Sequence, residues 1–394
     1  MREVVVAGAV RTPIGKFGGS LAGLSAAQIG AVAGTEALRR AGVAPSQVED
    51  AVFGCARQAG GGPNVARQVS YRSGISQEVP AFTVNMACGS GLKAIDLAYR
   101  QVRDGDADVV LAGGAESMSR VPYLLTGARW GYRMGNQPAV DAMYQDGFFC
   151  PLAEQVMGET AERLAETYGI GREEQDAFAL RSQERAGRAL REGRFEAETV
   201  AVKVTGRQGD VEFRQDEHPR PDTTLASLAK LPPAFKPEGG GVTAGNSSGI
   251  TDGAAAVVVV SSERAKALKV KPMARILGIA AAGVDPRAMG IGVVPAVRRL
   301  LERLALRLAD FDLVEVNEAF AAQVIACDRE LGFDPERTNV NGGAIALGHP
   351  IGATGARITV TLLHEMVRRG ARRGLATLCI SGGMGLAAAF ETLG

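Results

Sequence analysis

Apolar residues along this chain switch between two periods. Residues 4–10 read Val-Val-Val-Ala-Gly-Ala-Val, a continuous apolar run closed by Arg11. A run of that length without polar alternation predicts a strand buried on both faces. A helical pattern opens at Ser25, where Ser25-Ala26-Ala27-Gln28 has capping-box form. Short strands are predicted near 51–54 and 81–85. Beyond them Leu92, Ile95 and Val102 fall near helical spacing, and that pattern ends at Arg103 and Gly105. A strand over 108–112 then runs into Gly113-Gly114.

The same order recurs in the second half. A strand over 274–279 precedes a helix from about 295 to 308 and a strand over 313–317. Val340-Asn341, a glycine-rich stretch, a helix from about 353 to 369, a strand over 375–380 and Gly382-Gly383 close the set. The two Val-Asn pairs lie 256 residues apart (Asn341 against Asn85) and the two Gly-Gly pairs 269 (Gly382 against Gly113). The second copy therefore holds 13 more residues between these landmarks, expected to lengthen its glycine-rich loop. Alternating strands and helices predict an α/β fold with mostly parallel sheets covered by helices. Duplication predicts two pseudo-symmetric layered halves. Their equivalent loops would meet at a shared interface, a common place for ligand sites.

Residues from about 119 to 249 break the repeat. They hold the only tryptophan, Trp130, an amphipathic helical stretch over 159–193 and the irregular run His218-Pro219-Arg220-Pro221-Asp222. The segment is expected to be an inserted loop domain. The valine-rich strand over 253–260 then returns to complete the first half's sheet. The expected division is 1–118 with 250–270 as the N-terminal half, 119–249 as the insertion and 271–394 as the C-terminal half. An independent third domain would leave the valine strand without neighbours.

The length of 394 residues suits two or three such units. A net charge of +1 gives no electrostatic case for nucleic acid or a membrane as partner. Five cysteines, at 55, 88, 150, 327 and 379, are an odd number without a C-x-x-C pair. That argues against a disulfide framework and a zinc ribbon, and for a reducing compartment, so a cytoplasmic location is expected. The first apolar run is too short for a spanning helix and ends at Arg11, which reads as a strand rather than a signal peptide.

Candidate chemistry centres on Cys88, in Val84-Asn85-Met86-Ala87-Cys88-Gly89-Ser90-Gly91, where a strand meets a helix. A thiol there faces the positive end of the helix dipole, which lowers its pKa; a buried structural cysteine is the alternative. Of three histidines, His364 shares a helix with Ile358, Leu362 and Met366 and suits packing, while His218 sits among charged residues and is expected to be exposed. His349 lies in the glycine-rich loop of the second copy, where it suits a base for a cysteine. That loop lacks the G-x-x-x-x-G-K-[ST] form of a phosphate cradle. Cys379 ends a strand ahead of Gly382-Gly383. Asn317 also ends a strand, where its amide can hold a water or donate to an oxyanion, or simply form a turn. Two cysteines and one histidine leave a metal site as an alternative, against which stand the missing close cysteine pair and the sparse carboxylates nearby.

These stretches resemble the thiolase family. The matching segments are Arg11-Thr-Pro-Ile-Gly15, Asn85-x-x-Cys88-Gly-Ser-Gly, Glu116-Ser-Met-Ser119, Val242-Thr-Ala-Gly-Asn-Ser-Ser248-Gly, Asp252-Gly-Ala-Ala-Ala, Asn317-Glu-Ala-Phe320, Gly342 to Arg357, and Cys379-Ile-Ser-Gly-Gly-Met-Gly. They run in order along nearly the whole chain.

The resemblance implies a thiolase fold and reversible Claisen cleavage of 3-ketoacyl-CoA by CoA, acetoacetyl-CoA included. Cys88 is then the acyl carrier, His349 activates it, and Cys379 is the acid or base for the departing enolate. One oxyanion hole would combine His349 with a water on Asn317. The other would use the backbone N–H of Cys88 and of Ser381, a position that is often glycine in the family. CoA would be a co-substrate with no tightly bound cofactor. Arg220 would lie near its adenine, Ser227 near the nucleotide portion, and Ala244 and Ser248 along the pantetheine. Met157, Met289 and Phe320 would shape the acyl end, with core filling as the alternative for the methionines. The resemblance also implies a homodimer or homotetramer.

Val156 departs from the pattern, because enzymes making acetoacetyl-CoA often carry histidine there. That favours longer 3-ketoacyl chains. A decarboxylating ketoacyl synthase shares the duplicated architecture but would carry a second histidine in place of Cys379. An inactive CoA-binding member of the fold is disfavoured by the joint presence of Cys88, His349, Cys379 and Asn317.

Overall fold

The computed structural model describes residues 2–206 and 209–393. The first half runs β1 (Val4–Arg11), α1 (Ala26–Ala41), β2 (Asp50–Gly54), α2 (Val65–Arg72), β3 (Ala81–Val84), α3 (Ser90–Asp104) and β4 (Val109–Ser117). A long excursion follows, holding α4 (Met157–Tyr168), α5 (Arg172–Arg191) and a hairpin of Val202–Gly206 with Gly209–Phe213. The chain returns as β5 (Thr251–Ser261). The second half runs β6 (Ala274–Gly283), α6 (Val293–Leu304), β7 (Leu313–Val316), α7 (Ala321–Leu331), α8 (Ile351–Arg369), β8 (Arg373–Ile380) and β9 (Met384–Glu391).

The principal strands lie in the order β7-β8-β9-β6-β1-β5-β4-β2-β3. Outward from the β1–β6 junction the two arms match: β5, β4 and β2 on one side, β9, β8 and β7 on the other. Even the partner of β2 has a counterpart, since β3 pairs parallel with β2 and Thr338 makes a parallel bridge to Val314 of β7. That palindrome is the pseudo-two-fold expected from the duplicated sequence.

The pairing differs from the mostly parallel arrangement expected. Among the described residues, β2–β3, β2–β4 and β7–β8 are parallel. The pairs β1–β5, β1–β6, β4–β5, β6–β9 and β8–β9 are antiparallel. The reason is connectivity. Helical crossovers join β2 to β3, β3 to β4 and β7 to β8, whereas β8 turns straight into β9 through Ser381, Gly382 and Gly383. The two glycines sit at φ +87° and +82°, as that tight reversal requires. β9 escaped the periodicity because it is alanine-rich, with no β-branched residue to mark it.

Helices fill three layers. α3 and α8 pack together in the middle, where Leu92, Ile95, Ile358 and Leu362 share one core with Val110 and Ala112 of β4 and Ala376 and Leu378 of β8. α1 and α2 cover the outer face of the first half through Ile29, Leu38 and Val69. α6 and α7 cover that of the second through Val297, Leu300 and Val324.

Two expectations about loops and helices change. The helical stretch over 159–193 is two helices, broken where Gly169 caps α4 at φ +59°. The central helices begin 261 residues apart (Ile351 against Ser90), so only part of the 13-residue excess lies in the loop before α8. The remainder lies in the longer helix and beyond. β5 pairs with β4 residue by residue from Asp252–Ser117 to Val260–Val109, so the excursion leaves and re-enters between neighbouring strands. Its α4 and α5 pack against α7 of the second half. The buried Arg11 fixes it to β1, bonding Glu198 at 2.5 Å and Asp216 at 2.7 and 2.9 Å.

Candidate active site

Cys88 lies in the turn between β3 and α3. The turn is held from within: Ser90 Oγ accepts from Met86 N–H at 2.9 Å and donates to Ala87 O at 2.7 Å. Ala87 is forced to φ +44°, the left-handed region that costs a residue with a Cβ. The result points Cys88, partly accessible, into a cleft of about 820 Å³. His349, Cys379, Ser381, Met157, Met289, Phe320, Ala244, Ser248 and Arg220 line the same cleft. Ser227 does not; it lines a groove of about 280 Å³ that shares His218, Arg220 and Ala244 with the cleft. Asn317 is fully buried just past the end of β7, and both polar atoms of its amide lack a partner among the described residues.

His349 occupies the place in the second half that Cys88 occupies in the first, two residues before the central helix. Its Nδ1 is 2.6 Å from Thr354 Oγ1, and that hydroxyl donates its one proton to Pro350 O at 3.0 Å. The hydroxyl must therefore accept from Nδ1–H, which leaves Nε2 as the unprotonated nitrogen. Nε2 is buried without a partner. Burial pushes the imidazole pKa down to about 3, and the cations Arg357 and Arg57 push the same way. His349 is thus held neutral, a free lone pair at the cleft.

The thiols behave differently from the sequence expectation of a lowered pKa. Burial pushes Cys88 up; the backbone N–H groups of Ser381 and of Cys88 itself, with Arg57, pull the other way. Burial also pushes Cys379 well above the ordinary range, with the neighbouring Cys88 adding to it. In the free protein both sulfurs are protonated near neutral pH, and a base is needed to ionise the first.

Sequence reasoning missed three supporting residues. Thr354, which orients His349, lies five positions beyond it, inside a segment read only as glycine-rich. Glu116 is fully buried and accepts from Ala56 N–H at 3.0 Å, Arg57 N–H at 3.0 Å and Gly352 N–H at 2.8 Å. It fastens the segment after β2 to the first turn of α8, across the pseudo-two-fold. The third is His218, expected to be exposed. It is half-buried: Nδ1 is 2.8 Å from Ala346 O, and a Cβ built on Gly249 would meet its ring at 1.9 Å. Gly249 O in turn accepts His349 N–H at 3.0 Å, so His218 braces the loop carrying His349. No isolated sequence signal marks these contacts, because each spans elements far apart in the chain.

Beyond Cys88 the cleft wall is apolar. Phe235 lies on Gly158 and meets Phe320 edge to face at 6.1 Å, beside Val156, Met157 and Met289. Among the described residues no group of three or more histidine, cysteine or carboxylate side chains is arranged to hold a metal. No helix of the described residues is long and apolar enough to cross a membrane.

Residues 4–263 match the family model described as thiolase, N-terminal domain, and residues 270–392 that described as thiolase, C-terminal domain. The chain is 53% identical over 396 residues to an acetyl-CoA acetyltransferase of Syntrophomonas wolfei, covering 100% of both. It is 52% identical to one of Pseudomonas aeruginosa, covering 98% of both. Among solved structures it is similar to the Bacillus anthracis acetyl-CoA acetyltransferase, with TM-score 0.97, 45% identity and coverage of 100% of this chain and 99% of that one. It is also similar to human mitochondrial 3-ketoacyl-CoA thiolase, with TM-score 0.96, 42% identity and the same coverage.

Proposed function

The chain belongs to the thiolase family and is an acyltransferase; from that premise we propose how its residues divide the reaction. In the degradative direction His349 Nε2 takes the Cys88 proton, and the thiolate attacks the 3-keto carbon of a 3-ketoacyl-CoA. The carbon–carbon bond breaks as the tetrahedral adduct collapses. Its electron pair forms the acetyl-CoA enolate, which Cys379 protonates. The CoA thiol gives its proton to the Cys379 thiolate and attacks the acyl-Cys88 thioester. Cys88 leaves as a thiolate and recovers its proton from the His349 imidazolium, and the shortened acyl-CoA is released. Condensation is the reverse, with Cys379 as the base.

The observation that carries this reading is the buried, unpartnered Nε2 of His349 in the cleft that Cys88 and Cys379 share. The N–H groups of Cys88 and Ser381 form one oxyanion hole, and His349 with a water held by Asn317 forms the other. A soft thiol suits the first role because a thioester intermediate needs a nucleophile that also leaves well. Incubation with acetyl-CoA followed by peptide mass mapping tests the assignment: acetyl is expected on Cys88, and acetyl on Cys379 alone would refute it.

Coenzyme A lies along the groove and the cleft mouth, its nucleotide by Arg220 and Ser227 and its pantetheine by Ala244 and Ser248. Support comes from the shared lining of groove and cleft. Val156 and the aromatic wall favour 3-ketoacyl chains longer than acetoacetyl. Thiolysis rates across a chain-length series test this, and strict preference for the four-carbon substrate would sink it. The inserted segment 119–249 serves CoA binding and contacts between copies, the remainder dividing into halves at 1–118 with 250–270 and 271–394. Exposed Tyr123, Trp130 and Met134 support an oligomer, a dimer or tetramer, and the free cysteines support a cytoplasmic location.

A further inference from the structure

We propose that Arg57 recognises a carboxylate at the far end of the acyl chain, so that the enzyme accepts 3-oxoacyl-CoAs whose acyl group ends in a carboxylate. The inference rests on the active-site reading above and adds a substrate class to it.

Arg57 lines the cleft that holds Cys88. Lys16 and Arg220 line it too, but both are exposed, whereas Arg57 is half-buried. Its Nε is buried without a partner, and its one side-chain bond is a long one, Nη1 to Ala56 O at 3.4 Å. Among the described residues Arg57 has no ion pair. The adjacent carboxylate, Glu116, is spent on other groups: Oε1 takes the Arg57 backbone N–H at 3.0 Å and Cys55 Sγ at 3.4 Å, and Oε2 takes Ala56 and Gly352 N–H. The guanidinium lies instead against Gly147, where a Cβ would stand 2.8 Å from Nε. Gly147 sits between Tyr144 and Phe148, and all three line the cleft.

An unpaired cation in a cleft that Phe148, Val156 and Met157 also line is costly unless an anion completes it. Coenzyme A does not supply that anion on the reading above. The groove assigned to its nucleotide shares His218, Arg220 and Ala244 with the cleft, but not Arg57, Tyr144, Gly147 or Phe148. Arg57 and Cys88 line the cleft and not that groove, so a substrate group that reaches Arg57 through the cleft belongs to the acyl part; on its other side Arg57 borders a small pocket with Ser25, Ser117 and Arg120. A guanidinium fork matches a carboxylate in two parallel bonds. The Cys88 thiolate is the competing anion, since Arg57 favours its ionisation.

The test compares kcat/KM for a six-carbon 3-oxo-dicarboxylyl-CoA with that for 3-oxohexanoyl-CoA, in the full-length protein and in Arg57→Leu and Arg57→Lys. The ratio is expected to favour the carboxylate at least about tenfold. Arg57→Leu should lower that ratio by about ten- to a hundredfold, and Arg57→Lys by less. A ratio at or below one in the parent protein, or one unchanged in Arg57→Leu, overturns the proposal. So does an upward shift in the pH dependence of Cys88 alkylation in Arg57→Leu with the ratio unchanged, which assigns the cation to the thiolate. Calorimetric binding of succinyl-CoA against butyryl-CoA needs no turnover. A succinyl preference lost in Arg57→Leu, with no thiolysis of either substrate, would refute the catalytic assignment and uphold this one. Turnover of both substrates without preference would do the reverse.

Discussion

The N-termini of the two central helices are equivalent by pseudo-symmetry, yet one presents a thiol and the other an imidazole. Both side chains stand two residues ahead of their helix, at the positive end of its dipole. The dipole favours the same chemistry in each: it stabilises a thiolate at Cys88 and disfavours an imidazolium at His349. Their supports differ. The Cys88 turn is short and is held by Ser90 and by the left-handed Ala87. The His349 loop is longer, carries its own helical turn at Ala344–Leu347, and needs Gly348 at φ +99°, where a Cβ would stand 2.4 Å from Thr251 Cγ2. On the proposed reading one copy is the acyl carrier and the other its base, with electrostatics common to both and loop length setting them apart.

The sharpest way to break the comparison is to remove each member. Cys88→Ala should lower thiolysis by at least about 10⁴-fold, because no acyl-enzyme forms. His349→Gln should cost about 10²- to 10⁴-fold, the usual range for a general base. Steady-state rates with acetoacetyl-CoA check both, and equal small losses would mean that neither helix end does the chemistry.

Next in size is the support of the base. Thr354→Val leaves the Nδ1–H of His349 without its acceptor and frees the ring to turn. A drop in kcat of about tenfold or more is expected, with Thr354→Ser restoring most of it. Equal rates in the Val and Ser variants would show that Thr354 only packs.

The electrostatic difference gives a stability signature. The folded His349 pKa of about 3 lies below the ordinary 6.5. Its contribution to stability is therefore intact above pH 6.5 and is lost as pH falls toward 3, because only the unfolded state binds the proton in that window. Glu36 and Glu365, both held down to about 2, begin to cost stability only below their ordinary 4.5. Between pH 6.5 and 4.5 the denaturation midpoint of His349→Gln should accordingly fall less than that of the parent, at equal protein concentration. His218, also shifted down by burial, supplies part of what remains.

The smallest effect concerns the Cys88 turn. Ala87→Gly relieves the left-handed strain but loosens the unfolded chain, so stability should move by no more than about 1 kcal/mol, as read from the urea midpoint. A larger loss would mean that the Ala87 methyl itself holds the turn.

Much of this site was legible before the fold. Cys88, His349 and Cys379 each lie at a strand end or ahead of a helix in a stretch marked by glycine, and share one cleft, while Asn317 lies buried at a strand end without a glycine signal. The sheet was legible less well, because an alanine-rich strand such as β9 carries no periodic signal and its hairpin reverses the pairing. His218 was misread because its charged neighbours, Asp216 and Glu217, reach back to the segment after β1 rather than to solvent. A thiol expected to be acidic from the helix dipole alone is raised once its surroundings exclude water.

The sequence by itself determined that the chain is a duplicated α/β protein, which motifs are candidates for its chemistry, and which family they resemble. Those properties are local: a buried strand is a run of apolar residues, and a nucleophile turn is a run of glycines around a cysteine. The tertiary structure decided which nitrogen of His349 is left without a partner, which carboxylate is already engaged, and which cation has no ion pair in the cleft. Each depends on contacts such as Glu116 to Gly352, 236 residues apart in the chain, and desolvation acts on a side chain through whatever the fold packs around it.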